Sequence, residues 1–245
     1  MNERAEIFAR LKAGARILVL GDSLSAGMGC SESFDTGELL LACDGDRYTR
    51  WHAPNGWHVH VSQYLREKFP GCTLQNNGCS GIYSYQLEKG LSQVYDGTAD
   101  IVLLLVGVND RKREKGREEL EKSLPALLSR FRADGAVPVL ITPNPSTAEN
   151  EMLPTRFFHS EEIVNIIRCI AARENVILAD CWEEICRYSL YTGQSIDVLM
   201  HEDGCLSDGL HPTDRVYRLM ASCILRAMGL CEPIPGAPWS NYVNH

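Results

Sequence analysis

Polar and apolar positions along this 245-residue chain fall into two alternating kinds of segment. Five short runs, at 16–20 (RILVL), 73–76 (TLQN), 101–106 (IVLLLV), 137–142 (VPVLIT) and 176–179 (VILA), are bounded by Gly, Asp, Pro or Asn. Between them lie longer stretches with apolar residues at helical spacing, about 57–69, 84–95, 113–133, 160–173 and 214–228. Short, nearly all-apolar strands alternating with helices predict a parallel sheet covered on both faces. Five such strands suit a flavodoxin-like three-layer αβα sandwich with a five-stranded parallel sheet. In that architecture ligands gather at the carboxyl ends of the strands, so the residues just after each strand are the ones to read.

Two stretches break the rhythm. The segment 30–55 is rich in Gly, Asp, Glu and aromatics, and reads as a long loop in which LLLAC makes one helical turn. The segment 192–209 is polar and precedes the last helix. Loops of this length in a compact domain are usually functional lids or disordered. The tail at 231–245 is aperiodic, and Pro233, Pro235 and Pro238 forbid a helix there; it is expected to pack along the surface or fray. With no repeat, low-complexity tract or linker, residues 1–245 read as a single domain.

Charge narrows the partners. Lys plus Arg number 24 against 32 Asp plus Glu, a formal net charge of −8. That disfavours nucleic acid, whose binding rests mainly on a basic face, and anionic membrane surfaces. The N-terminus lacks the apolar stretch and cleavage site of a signal peptide, and no window approaches the length of a membrane helix. A cytoplasmic enzyme without membrane attachment is expected. Ten cysteines include no C-x-x-C pair. Cys181 and Cys186 fall on one helix with no His near, so free thiols, not a metal site or a disulfide framework, are expected.

The residues after the strands carry the chemistry. The first strand runs into Gly21-Asp22-Ser23-Leu24-Ser25-Ala26-Gly27, where a hydroxyl at the start of a helix is placed for nucleophilic attack; Asp22 or Ser23 as a plain N-cap is the alternative. No Lys follows Gly27, which excludes a phosphate loop. Asn76-Asn77-Gly78-Cys79-Ser80-Gly81 follows the second strand, and its glycines can expose backbone N–H groups. Gly107-Val108-Asn109-Asp110 follows the third, placing Asn109 at the middle of the sheet edge, as an oxyanion donor or a helix cap. Near the C-terminus, Ser207-Asp208-Gly209-Leu210-His211-Pro212 sets a carboxylate three residues before a histidine, a separation that lets Asp208 curl back onto one ring nitrogen. Together these blocks supply a candidate nucleophile, three candidate oxyanion donors, a base and its orienting acid, all from loops expected on one edge. His52, His58, His60, His159 and His201 lack an acid three residues before and a helix-starting Pro after, and Asp203 suits the loop less well than Asp208.

GDSLSAG, the Gly81 turn, GVND and DGLHP, in this order, resemble the four blocks of the SGNH hydrolases, also called GDSL esterases and lipases. The resemblance implies Ser23 as nucleophile, His211 as general base and then acid, and Asp208 as its orienting partner. It implies an oxyanion hole from the N–H groups of Ser23 and Gly81 with the Asn109 side chain, and no cofactor or metal. One departure is the 58 residues from Ser23 to Gly81, more than a βα unit of about 30 needs. The excess is the 30–55 insertion, expected to lie over the acyl or leaving-group pocket, although Glu32, Asp35, Glu38, Asp44 and Asp46 equally suit a solvated surface. Trp51 and Trp57 are candidates to stack on a sugar ring, or else to pack. The expected substrate is a small-molecule, short-chain acyl ester such as an O-acetyl group on a carbohydrate. A lipase, thioesterase or acyltransferase on the same site, or a non-catalytic ligand-binding module, are the alternatives.

Overall fold

The computed structural model describes residues 3–231. The chain runs through α1 (Glu3–Ala13), β1 (Arg16–Gly21), α2 (Ser23–Ala26), β2 (Phe34–Cys43), β3 (Asp46–His52), α3 (Trp57–Lys68), β4 (Thr73–Gly78) and α4 (Ser84–Gly90). It continues through β5 (Ile101–Leu105), α5 (Gly116–Ala133), β6 (Val137–Ile141), α6 (Ala148–Glu151), α7 (Ser160–Arg173), β7 (Ile177–Ala179), α8 (Cys181–Thr192), α9 (Ile196–Leu199) and α10 (Asp214–Ala227). The main sheet has the order β4-β1-β5-β6-β7, with every pair parallel. This is the flavodoxin-like order, whose topological switch point falls between the first and third strands, here β1 and β5. The Ser23 and Asn109 blocks are therefore neighbours at the crevice.

Alternation along the strands divides the core into two layers. Ile17 and Val19 of β1 face one side, with Trp57, Val61, Tyr217, Met220 and the α1 pair Ile7 and Leu11. Leu18 and Leu20 face the other, with Leu87, Leu124, Phe131 and Ile163. Every residue of β5 and β6 is buried, which is why these runs carry no polar alternation. The three layers and five parallel strands read from the sequence are thus as expected.

The insertion is otherwise. LLLAC is not a helical turn: it is the end of β2, which pairs antiparallel with β3 as a hairpin. Cys43 and Asp46 pair across a two-residue turn in which Asp44 has φ +53° and Gly45 φ +90°, both in the left-handed region that favours a type I′ hairpin. The hairpin is fastened to the body. Leu41 packs on Gly90, Tyr48 donates from its hydroxyl to Gln86 Oε1, and Arg50 donates to the Asn76 carbonyl at 2.7 Å. The polar stretch 192–209 carries α9, and the helix expected over 84–95 stops at Gly90 before a 3-10 turn, Leu91–Gln93. From residue 232 onward the tail lies outside the described residues. Among those residues, no helix is long and apolar enough to cross a membrane.

Candidate active site

The turn after β1 brings Ser23 to the crevice because Gly21 sits almost on the neighbouring strand. A Cβ at Gly21 would lie 1.7 Å from the Leu105 carbonyl oxygen, and its φ of +139° suits glycine alone. That carbonyl accepts from Asp22 N–H at 3.1 Å and from the Ser25 hydroxyl at 2.9 Å, pinning both sides of Ser23 to β5. Asp22 Oδ1 caps α2 by accepting from Leu24 N–H at 3.0 Å. Ser23, 3% exposed, is then held as the first residue of a one-turn helix. The capping role thus falls to Asp22, which leaves the Ser23 hydroxyl free of it.

Ser23 Oγ lies 2.9 Å from His211 Nε2, across 188 positions of sequence, and His211 Nδ1 lies 2.6 Å from Asp208 Oδ2. The other Asp208 oxygen accepts from His211 N–H at 2.9 Å and Leu210 N–H at 3.0 Å. Burial pushes the Asp208 carboxyl up, but the hydrogen bond and charge of His211 and these two N–H donors outweigh it, holding the carboxyl well below its ordinary range. A carboxylate fixed on Nδ1 sets the tautomer in which Nε2 is free to accept the serine proton. Thr213, capping α10, follows Pro212 directly and anchors this loop by donating to the Leu199 carbonyl at 2.9 Å.

The β4 block closes on the same turn. Asn76 Nδ2 donates to the Ser25 carbonyl at 2.9 Å, and Cys79 N–H to the Gly21 carbonyl at 2.8 Å. Gly81 is exposed in the turn that follows, and neither its N–H nor that of Ser23 has a hydrogen-bond partner among the described residues. Asn109, 2% exposed, donates from Nδ2 to the Ile82 carbonyl at 3.1 Å, which ties it to the Gly81 turn.

The remaining candidates separate. Trp57 is fully buried and donates from its indole N–H to the Leu24 carbonyl at 2.9 Å. It braces α2 from below and offers no face to a sugar, because it opens the apolar stripe Trp57, Val61, Leu65 of α3. Trp51 is half-buried on β3, two residues before Ala53, which lies against Gly27. Of the other histidines, His58 is buried and its pKa is pushed down to about 4 by burial, while His159 contacts Glu151 at 3.3 Å. Asp203 is exposed and Asp208 holds the ring. All ten cysteines are thiols. Among the described residues, no three His, Cys, Asp or Glu side chains cluster as a metal site.

One network carries no sequence signal, and one property of two motif residues is likewise unreadable from sequence. Arg111, fully buried, donates to Glu151 Oε1 at 2.7 Å and Asn150 Oδ1 at 2.6 Å; Asn150 Nδ2 in turn donates to the Asp208 carbonyl at 2.9 Å. This network joins the Asn109 block to the Asp208 loop through α6. Beneath the site, burial pushes both Asp22 and Asp110 up to about 7, and the charge of Asp22 adds to the rise at Asp110. Leu24 N–H, the nearby amides of Val108 and Gly107, and the Lys112 charge pull Asp22 the other way; Asp22 Oδ2 has no hydrogen-bond partner among the described residues.

A carboxyl raised in the folded state favours folding at low pH, and that contribution is lost as pH rises through about 7. Asp22→Asn keeps the Oδ1 cap and removes the titration. Between pH 5 and 8 the variant is therefore expected to lose about 3 kcal/mol less stability than the parent, read by denaturant unfolding at the two pH values. Identical losses in both proteins would show that Asp22 does not titrate there.

A hydroxyl, an imidazole and a carboxylate in hydrogen-bonded series stand on a flavodoxin-like sheet, an arrangement suited to a serine ester hydrolase. The model of the GDSL-like lipase/acylhydrolase family matches residues 19–219, and the chain belongs to that family. No curated protein matches it. Among solved structures it is similar in fold to LAE5, an alpha/beta hydrolase enzyme from the metagenome of Lake Arreo, Spain. That likeness has a TM-score of 0.65 at 22% identity, covering 89% of this chain and 96% of that one. It is also similar to Axe2, an acetylxylan esterase from Geobacillus stearothermophilus, with a TM-score of 0.63 at 19% identity, covering 88% and 94%.

Proposed function

We propose that the protein hydrolyses short-chain acyl esters, such as O-acetyl groups on carbohydrates, through a Ser23–His211–Asp208 triad and an acyl-enzyme. The observation that carries this reading is the continuous hydrogen-bonded series from Asp208 Oδ2 through His211 to Ser23 Oγ. His211 Nε2 takes the Ser23 proton as Oγ bonds to the ester carbonyl carbon. The carbonyl oxygen gains the charge and is met by the N–H groups of Ser23 and Gly81 and by Asn109 Nδ2. The tetrahedral adduct collapses, the alcohol leaves with the proton from His211, and a water deprotonated by the same ring releases the acid. The chemistry of the acetylxylan esterase neighbour supports the substrate class. Its variants described as catalytic mutants replace a serine, a histidine and an aspartate, the last two spaced three apart as His211 and Asp208 are.

Hydrolysis of p-nitrophenyl acetate, butyrate, octanoate and palmitate, with Ser23→Ala as the control, tests the reading. Turnover is expected to be greatest on acetate and to fall with chain length. A rise toward octanoate and palmitate would overturn the short-chain assignment, and Ser23-independent turnover would overturn the nucleophile.

A further inference from the structure

A carboxamide has two ends of nearly the same shape, and only one of them donates. Asn109 therefore helps an oxyanion only if its NH₂ end faces the reacting carbon. Rotated by half a turn, it would set a lone pair against the developing negative charge. Its orientation must be fixed by neighbours, and two do so. The Ile82 carbonyl takes one Nδ2 hydrogen at 3.1 Å, leaving the second for substrate. The Lys112 ammonium donates to Oδ1 at 2.7 Å. An ammonium has donors only and a carbonyl is an acceptor only, so the rotated amide loses both partners at once.

Lys112 reaches this position because it ends the 3-10 turn Asp110–Lys112, which begins directly after Asn109. Its own N–H closes that turn on the Asn109 carbonyl at 2.8 Å. The same turn thus presents the amide and delivers the cation to its oxygen end. The placement is unfavourable for a lysine as such. It is half-buried, and burial and then the Arg156 and Arg111 charges lower its pKa, against the pull of Asp22 and Asp208. Among the described residues, its ammonium forms no ion pair with a carboxylate within 4.0 Å. A lysine in an ordinary surface role extends into water, so a half-buried cation on a neutral amide oxygen calls for another account.

We propose that Lys112 is a positioning residue, locking the Asn109 carboxamide with its NH₂ toward the oxyanion and polarising it from behind. The proposal rests on the reading of Asn109 as an oxyanion donor. Removing a donor outright lowers kcat by about 10²–10³, and loosening one lowers it by less, about 10–10². Lys112→Met, which keeps the stem and loses the donor, is expected to lower kcat on p-nitrophenyl acetate about 10–10²-fold with KM unchanged, and Lys112→Arg to recover part of the loss. In an Asn109→Ala background, Lys112→Met is expected to have no further effect, since the amide it orients is gone. Equal fold-losses in the two backgrounds, or a change in KM alone, would overturn the proposal.

A readout independent of turnover accompanies the kinetics. The two side-chain N–H resonances of Asn109 are expected to shift and to exchange faster with water in Lys112→Met, and unchanged resonances would overturn the proposal. Ester turnover that survives Ser23→Ala would instead overturn the hydrolase reading, leaving this amide signature where it is.

Discussion

Ser23→Ala and His211→Ala are each expected to lower kcat by about 10⁶, and the double variant to lose no more than either alone. The reason is the 2.9 Å contact between Ser23 Oγ and His211 Nε2. A serine hydroxyl is a poor nucleophile until its proton has somewhere to go, and in the acylation step the imidazole handles that one proton, taking it from Ser23 and passing it to the leaving alcohol. Removing either partner therefore removes the same covalent route. What remains is binding and the oxyanion donors, together worth about 10³–10⁴ over water. Neither change threatens the fold: Asp22 and Ser25, not Ser23, hold the turn to the Leu105 carbonyl. The measurement is kcat on p-nitrophenyl acetate for the three variants, with a fluorophosphonate followed by mass spectrometry. One adduct on Ser23 is expected in the parent, a far slower one in His211→Ala and none in Ser23→Ala. Losses that multiply, or an adduct on another residue, would mean that the two side chains do not act as a unit.

The sheet was legible because its strands are buried on both faces and so written in unbroken apolar runs. Ile101–Leu105, buried throughout, is the plainest case. The convergence of three candidate blocks was legible for a related reason: β1, β4 and β5 end side by side, which brings together the polar stretches directly after them. The hairpin was harder to see. Residues Phe34 to Leu39 of β2 are exposed on both faces and have no apolar alternation to read; only Leu41 and Cys43 of this strand are buried, with Leu40 partly so. The informative signal was Asp44-Gly45, a dipeptide suited to a two-residue hairpin turn, lying within the segment taken for a loop. Trp57 reads from its place beside the insertion either as a sugar-stacking residue or as packing, and its spacing with Val61 and Leu65 marks it as core. The Arg111–Asn150–Asp208 connection had no signal at all. Its members come from separate segments whose proximity only the folded chain creates.

Asp208→Asn is expected to lower kcat by about 10⁴ at nearly unchanged stability, and the cause is a tautomer as much as a charge. In the parent, Asp208 Oδ2 can only accept, so His211 Nδ1 carries the hydrogen and Nε2 presents a lone pair to Ser23. The Asn oxygen would keep the two backbone donors, His211 N–H and Leu210 N–H, that Asp208 Oδ1 accepts. That choice turns its NH₂ toward Nδ1, which must then accept. The ring hydrogen moves to Nε2, where it points at Ser23 Oγ and no lone pair remains to receive the serine proton. Stability responds little, because the Asp208 side chain is 37% exposed and the loop keeps its backbone hydrogen bonds and the Thr213 anchor. The checks are kcat, the melting temperature and the downfield Nδ1–H proton resonance of His211, which is expected in the parent and absent in the variant. A folded variant within tenfold of parental kcat would remove Asp208 from the triad. A variant with the activity lost but the Nδ1–H resonance retained would mean that the carboxylate acts through its charge, with the tautomer held by some other group.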